Sequence, residues 1–179
     1  MTRIVPTINT PRLTLRGFST QDFDRFAEIW AIPEVVRYIG GKPLNRPAAW
    51  ASFLRNAGQW QITGFGQWAL EDQGQKRMIG QVGFFHGTRE LGDDFDGCPE
   101  AGWILTPDVQ NQGLGYEAAK AAHEWFDRVI TGPLVCVLSP ENAASLKVAQ
   151  KLGYKPLRQT KLDGAVAQLM SRPKPPQNA

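Results

Sequence analysis

A chain of 179 residues favours one domain large enough to bury a real core, and 42% hydrophobic with 21% charged residues is ordinary for a soluble globular protein. Its formal net charge of +3 comes from scattered basic residues, which suits an anionic ligand but falls short of the clustered footprint of a nucleic-acid binder. Cys98 and Cys136 are too few and too far apart for a disulfide framework or a zinc site, and neither a signal-peptide core nor an apolar run of membrane-spanning length is present, so a soluble, cytoplasmic protein is expected.

Residues 1–11 hold two prolines and no period and read as a leader. Arg12-Leu13-Thr14-Leu15-Arg16 alternates as a half-buried strand does. Ser19 and Thr20, with Asp22 following, offer a cap for a helix carrying Phe23, Phe26, Ala27 and Trp30 on one face; Pro33 ends it. A short helical turn at 33–38 stops at Gly40-Gly41, and a third helix starts at Asn45, with Pro47 tolerated in its first turn, and runs to about Trp60. Two strand-like runs then flank Asp72-Gln73-Gly74-Gln75, a hairpin signal. A polar loop at 87–99 carries Glu90, Asp93, Asp94 and Asp96 and could attract a cationic amine. Strands at 100–105 and 134–138 bracket a long helix, a further helix opens near Asn142 and ends at Gly153, and a hairpin turns at Leu162-Asp163-Gly164. Residues 172–179 read as a disordered, Pro-rich tail. The order indicates a mixed α/β sheet of about seven strands in one domain spanning 12–171.

The long helix is entered through Gln110-Asn111-Gln112-Gly113-Leu114-Gly115-Tyr116. Glycines there are poor helix formers, costing roughly 0.5–1 kcal/mol each relative to Ala in a helix interior. They become useful if a ligand approaches the backbone, because the first turn of a helix offers unpaired N–H groups and a positive dipole end that stabilise phosphate. The spacing alone is equally that of a flexible loop.

Four ordered pieces resemble the GNAT superfamily of acyl-CoA N-acyltransferases, and within it the branch of ribosomal-protein N-terminal acetyltransferases. They are Thr10-Pro11-Arg12-Leu13-Thr14-Leu15-Arg16; Glu100-Ala101-Gly102-Trp103-Ile104-Leu105; Gln112-Gly113-Leu114-Gly115-Tyr116-Glu117-Ala118; and Asn142-Ala143-Ala144-Ser145 with Val148 and Lys151-Leu152-Gly153-Tyr154. The resemblance implies a mostly antiparallel sheet splayed around acetyl-CoA, with no metal, and acetyl transfer to a primary amine by a monomer or homodimer acting on neither nucleic acid nor membrane. It implies that backbone groups around Trp103, Ile104 and Leu105 pair with the pantetheine arm. Amides from Gln110 and Asn111 through Gln112, Gly113, Leu114, Gly115 and Tyr116 would hold the pyrophosphate, and Asn142 would bind the arm. A catalytically silent acyl-CoA binder is the competing reading.

The chemistry needs a neutral amine: at pH 7 about one lysine-like amine in two thousand is neutral, against roughly a tenth of α-amines. The resemblance places Glu100 as general base, and burial should raise its pKa for that work; the alternative is a carboxylate in an ion pair. The resemblance also implies that Ser145 lies near the departing sulfur; since the position where many members carry a tyrosine acid is Ala149 here, Ser145 or water would supply the proton. Asn142 could equally cap its helix. The six tryptophans are mainly core, with Tyr38 and Trp60 as candidates to line the acceptor cleft.

Overall fold

The computed structural model describes residues 3–175. Among the described residues eight strands form one sheet: β1 (Ile8–Asn9), β2 (Leu13–Arg16), β3 (Gln67–Asp72), β4 (Arg77–Phe85), β5 (Glu100–Leu105), β6 (Leu134–Leu138), β7 (Lys155–Leu162) and β8 (Ala165–Arg172). Their spatial order is β1-β2-β3-β4-β5-β6-β8-β7, antiparallel throughout except between β5 and β6.

Six helices cover the sheet: α1 (Phe23–Trp30), α2 (Pro33–Val36), α3 (Arg46–Thr63), α4 (Asp93–Asp96), α5 (Leu114–Val129) and α6 (Ala143–Lys151). Local chemistry sets several boundaries. Asn45 caps α3 by accepting from the Ala48 amide at 2.9 Å. In the β3–β4 turn, Asp72 Oδ1 accepts from the Gly74 and Gln75 amides, both at 2.8 Å. Before α1, Asp22 reaches back to the Ser19 amide at 2.7 Å and is clamped by Arg16 through two 2.8 Å bonds.

The two faces of the sheet are packed differently. Ala101 and Leu105 of β5 join α5 residues Ala118, Ala122 and Phe126 in the larger core, while Ile104 packs toward the cluster of Phe26, Ile29 and Phe53 from α1 and α3. Strand alternation therefore puts Glu100, Gly102 and Ile104 on the α1–α3 face, and Ala101, Trp103 and Leu105 on the α5 face.

Four details depart from the sequence reading. The stretch taken as leader contributes Ile8–Asn9, which pairs with Leu15 and Thr14 and brings the strand count to eight rather than seven. The polar loop at 87–99 contains α4, because Phe95, only 2% exposed, packs with Val135 and Leu169. Arg172 ends β8 instead of opening a disordered tail: its guanidinium binds Asp127 at 2.8 and 2.6 Å and the Leu152 carbonyl at 2.8 Å. Residues 176–179 of that expected tail, and residues 1–2 of the leader, lie outside the described residues. Trp60 is core rather than cleft lining, its Nε1 donating to the Gln67 carbonyl at 2.9 Å among Trp68 and Trp125.

Candidate active site

The centre of the site is the seam between β5 and β6. The strands pair at Glu100 and Val135, where the Val135 amide also donates to the Pro99 carbonyl at 3.0 Å, and no further register pair follows. Beyond that point the two parallel strands make no further pair, leaving a gap in the ladder between their facing edges. On the other side of β5 the ladder with β4 is complete from Glu100 to Leu105. The Ile104 carbonyl points into that ladder, only 2.0 Å from where a Cβ on Gly80 would sit. Alternation then turns the backbone groups of Trp103 and Leu105 toward the gap, whereas Ile104, expected to pair with a bound arm, faces β4. The Leu105 carbonyl is already used, accepting from Gln110 Nε2 at 3.0 Å.

The glycine-headed entrance of α5 follows directly. Asn111 (φ 61°) and Gly113 (φ 78°) both adopt left-handed backbone, so the chain doubles back before Leu114. The first intrahelical bond runs from the Glu117 amide to the Gly113 carbonyl at 3.1 Å, leaving the amides before it without helical acceptors. Gln112 Nε2 donates to the Asp108 carbonyl at 3.2 Å, so that side chain holds the loop itself. Tyr116 lies under Lys151, whose Nζ is 5.1 Å from the ring centroid, tying the start of α5 to the end of α6.

A cation that the sequence reading left unassigned braces this loop. Arg12 donates to the Gln112 carbonyl at 2.9 Å and pairs with Glu117 at 2.7 Å, while Thr10 Oγ1 donates to the same carboxylate at 2.6 Å. Burial alone would raise the Glu117 pKa; the Thr10 and Arg12 hydrogen bonds outweigh it and hold the carboxyl below its ordinary value. Arg12 belongs to the same motif as Thr10, so it was legible as a motif member but not as a brace.

Across the gap, Trp103 Nε1 donates to Ser145 Oγ at 3.3 Å, joining β5 to the first turn of α6. Asn142 caps α6, its Oδ1 accepting from the Ser145 amide at 3.1 Å; the capping role is therefore real and leaves the Asn142 amide donors unspent on that bond. Ala149 is fully buried in the core, so no side chain at that position reaches the gap as an acid.

Glu100 lies at the closed end of the gap, on the sheet face opposite Trp103, and is 4% exposed. Its carboxylate is gripped bidentately by Arg89, Nε to Oε2 at 2.6 Å and Nη2 to Oε1 at 2.9 Å. Burial raises the Glu100 pKa and the Arg89 bonds oppose it, with the balance above the ordinary value. Glu100 is thus a buried carboxyl raised above its ordinary value and, at the same time, a member of an ion pair. Two carboxylates of the acidic loop are engaged within the protein. Asp94 pairs with Arg158 at 2.9 Å, and Asp96 accepts from the amides of Arg89, Leu91 and Gly92 at 3.0, 2.5 and 2.8 Å. Among the described residues no group of three or more His, Cys, Asp or Glu side chains is arranged to hold a metal, and no helix is long and apolar enough to cross a membrane.

This fold and site define an acyltransferase: the chain belongs to the acetyltransferase (GNAT) domain family, whose model matches residues 12–155. Among relatives, it is 26% identical over 149 residues to the uncharacterised N-acetyltransferase YnaD of Bacillus subtilis (strain 168), covering 83% of this chain and 82% of that one. It superposes on a structure from Bordetella pertussis described as a GnaT-family acetyltransferase with TM-score 0.84 and 28% identity, over 93% of this chain and 99% of that one. A more distant neighbour in fold is yncA from Salmonella typhimurium, solved with its cofactor acetyl-CoA, at TM-score 0.70 and 19% identity over 93% and 96% of the two chains.

Proposed function

We propose that this protein transfers the acetyl group of acetyl-CoA to a primary amine by direct attack, as a cytoplasmic relative of the ribosomal-protein N-terminal acetyltransferases. One observation carries the reading: β5 and β6 pair at Glu100 and Val135 and then part, with the unpaired amides of the α5 entrance after the open end of β5. In this reading an extended arm lies in the gap against the backbone of Trp103 and Leu105, and the amides of Gln112 through Tyr116 bind the pyrophosphate. Each N–H bond to such a charged acceptor contributes about 1.5–3 kcal/mol, more than the roughly 0.3–1 kcal/mol of the dipole, so the hydrogen bonds hold the ligand.

Acetyl-CoA supplies an activated acyl carbon. Glu100 accepts the proton of the amine as its nitrogen bonds that carbon, directly or through one water; Ser145 donates its proton to the sulfur as the C–S bond breaks, and the proton held by Glu100 returns through water to restore the serine hydroxyl. Asn142 offers its amide donors to the arm. The acceptors consistent with this site are α-amines of peptides and small-molecule amines, and the α-amine asks less of the base by about 3 kcal/mol.

The Arg89 clasp on Glu100 favours a second reading, a catalytically silent acyl-CoA binder. Thiol release from acetyl-CoA across a panel of N-terminal peptides, polyamines and aminoglycosides decides between them. Amine-dependent release supports the enzyme; tight acetyl-CoA binding without release on any amine supports the binder.

A further inference from the structure

Arg89 sits in a loop whose construction serves to aim it. Its neighbours Thr88 (φ 45°) and Glu90 (φ 57°) both hold left-handed backbone, a conformation that non-glycine residues rarely adopt. Asp96 gathers the amides of Arg89, Leu91 and Gly92 on its two oxygens and fixes the curl. Arg158 of β7 anchors the far side through Asp94 and the Leu91 carbonyl. Leu91 and Phe95 pack the underside against Val135 and Val137 of β6, a strand of the seam, and Leu169 of β8. At Gly87 the loop passes so close to the base that a Cβ there would stand 2.5 Å from Glu100 Oε2. Every one of these devices converges on one product: the guanidinium laid across both oxygens of a buried carboxylate.

We infer that Arg89 is a positioning residue for Glu100, held by the Asp96-knotted loop so that the proposed base stays ionised and oriented inside a dehydrated site. The inference rests on the reading of Glu100 as base. A carboxylate offers about four lone-pair sites and Arg89 uses two, so the clasp leaves acceptor capacity for an amine proton or a water. Burial pushes the Glu100 carboxyl up and the Arg89 bonds oppose it, so without the clasp the protonated form, which cannot accept a proton, would be favoured further. Other groups shape the same field: Asp96 and, from the β7–β8 turn, Asp163 act on Arg89, Asp96 acts on Glu100, and the buried Cys136 thiol of β6 feels Glu100. Neither carboxylate binds Glu100, so Arg89 is the partner that sets its ionisation.

The test compares wild type, Arg89→Met, Arg89→Lys and Asp96→Asn by two readouts. In pH profiles of kcat/KM with acetyl-CoA and the best amine of the panel, Arg89→Met should lose about 10-fold or more at pH 7 and regain activity as pH rises, its acid limb displaced upward by about one unit or more. Arg89→Lys should fall between, and acetyl-CoA affinity should stay within about twofold of wild type. Carbon-13 titration of the Glu100 carboxyl needs no amine and should show the same upward displacement, smaller in Asp96→Asn because loosening the clasp raises Glu100 while losing the Asp96 charge lowers it. A uniform activity loss with an unmoved limb, or an unmoved Glu100 titration in folded Arg89→Lys and Arg89→Met, overturns the inference. Loss of the base reading is distinguishable: Glu100→Gln would then keep its turnover while Arg89→Met still moved the Glu100 titration.

Discussion

Trp103 reaches across the parting of β5 and β6 to donate its indole N–H to Ser145 Oγ at 3.3 Å. The bond fixes the serine oxygen as acceptor and leaves its own proton free for the gap, which is the state a donor to a departing sulfur requires. Ser145→Ala should lower kcat by about 10–100-fold while leaving acetyl-CoA affinity nearly intact. Trp103→Phe removes only the orienting bond and should cost less. Stopped-flow thiol release with each variant checks the order; equal rates for Ser145→Ala and wild type would assign the proton to water.

Glu117 links stability to ligand binding. Thr10 and Arg12 hold its carboxyl below the ordinary value against burial, with the side chain 16% exposed. A depressed carboxyl contributes stability above its unfolded pKa, and that contribution is lost as pH falls through the folded value. Glu117→Gln should therefore destabilise the protein by about 1 kcal/mol at pH 7 and flatten its acid dependence. Because Arg12 also holds the Gln112 carbonyl, the same variant should weaken acetyl-CoA binding several-fold, measurable by calorimetry.

His123 makes an independent pH prediction. It is buried in α5, with Nδ1 against the Ala119 carbonyl at 2.6 Å and Nε2 against the Tyr154 hydroxyl at 2.8 Å. The geometry fits a neutral ring donating from Nδ1 and accepting the tyrosine proton at Nε2. Burial, the dominant cause, pushes its pKa down from 6.5 to about 4. The neutral ring thus favours folding above pH 6.5, and this contribution is lost as pH falls from 6.5 toward 4. It amounts to about 3 kcal/mol. Urea titrations at pH 7 and pH 4.5 should show a smaller acid loss in His123→Gln than in wild type.

Gly113 should resist substitution for a backbone reason. At φ 78° an alanine is strained, and Gly113→Ala should cost about 1 kcal/mol and loosen the loop that precedes α5. Thermal denaturation and acetyl-CoA titration read the two effects.

These predictions draw on features of unequal visibility in the sequence. Strands β5 and β6, the start of α3 at Asn45, the Asp72 turn and the glycine-headed helix are written in local patterns and side-chain chemistry, and the structure has them where the residues indicated. Ile8–Asn9 had no local signal, because two residues carry no period and pair only since β2 offers an edge. The pairing of Arg89 with Glu100 was equally hidden. It depends on a loop curl set by Asp96 and on Phe95 finding a pocket between Val135 and Leu169, contacts that no window of sequence contains. Arg172 was misplaced because its prolyl neighbours suggest a tail, while its partner Asp127 lies on α5.

The central claim is that the seam between β5 and β6 binds acetyl-CoA and that Glu100 takes the amine proton there. Calorimetric titration of acetyl-CoA into wild type and Glu100→Gln, with thiol release measured on the same samples and a peptide α-amine as acceptor, tests it most directly. Kd values should agree within about twofold, with release reduced about 100-fold or more in the variant. Undiminished release by Glu100→Gln, or no binding of acetyl-CoA to wild type, would contradict it.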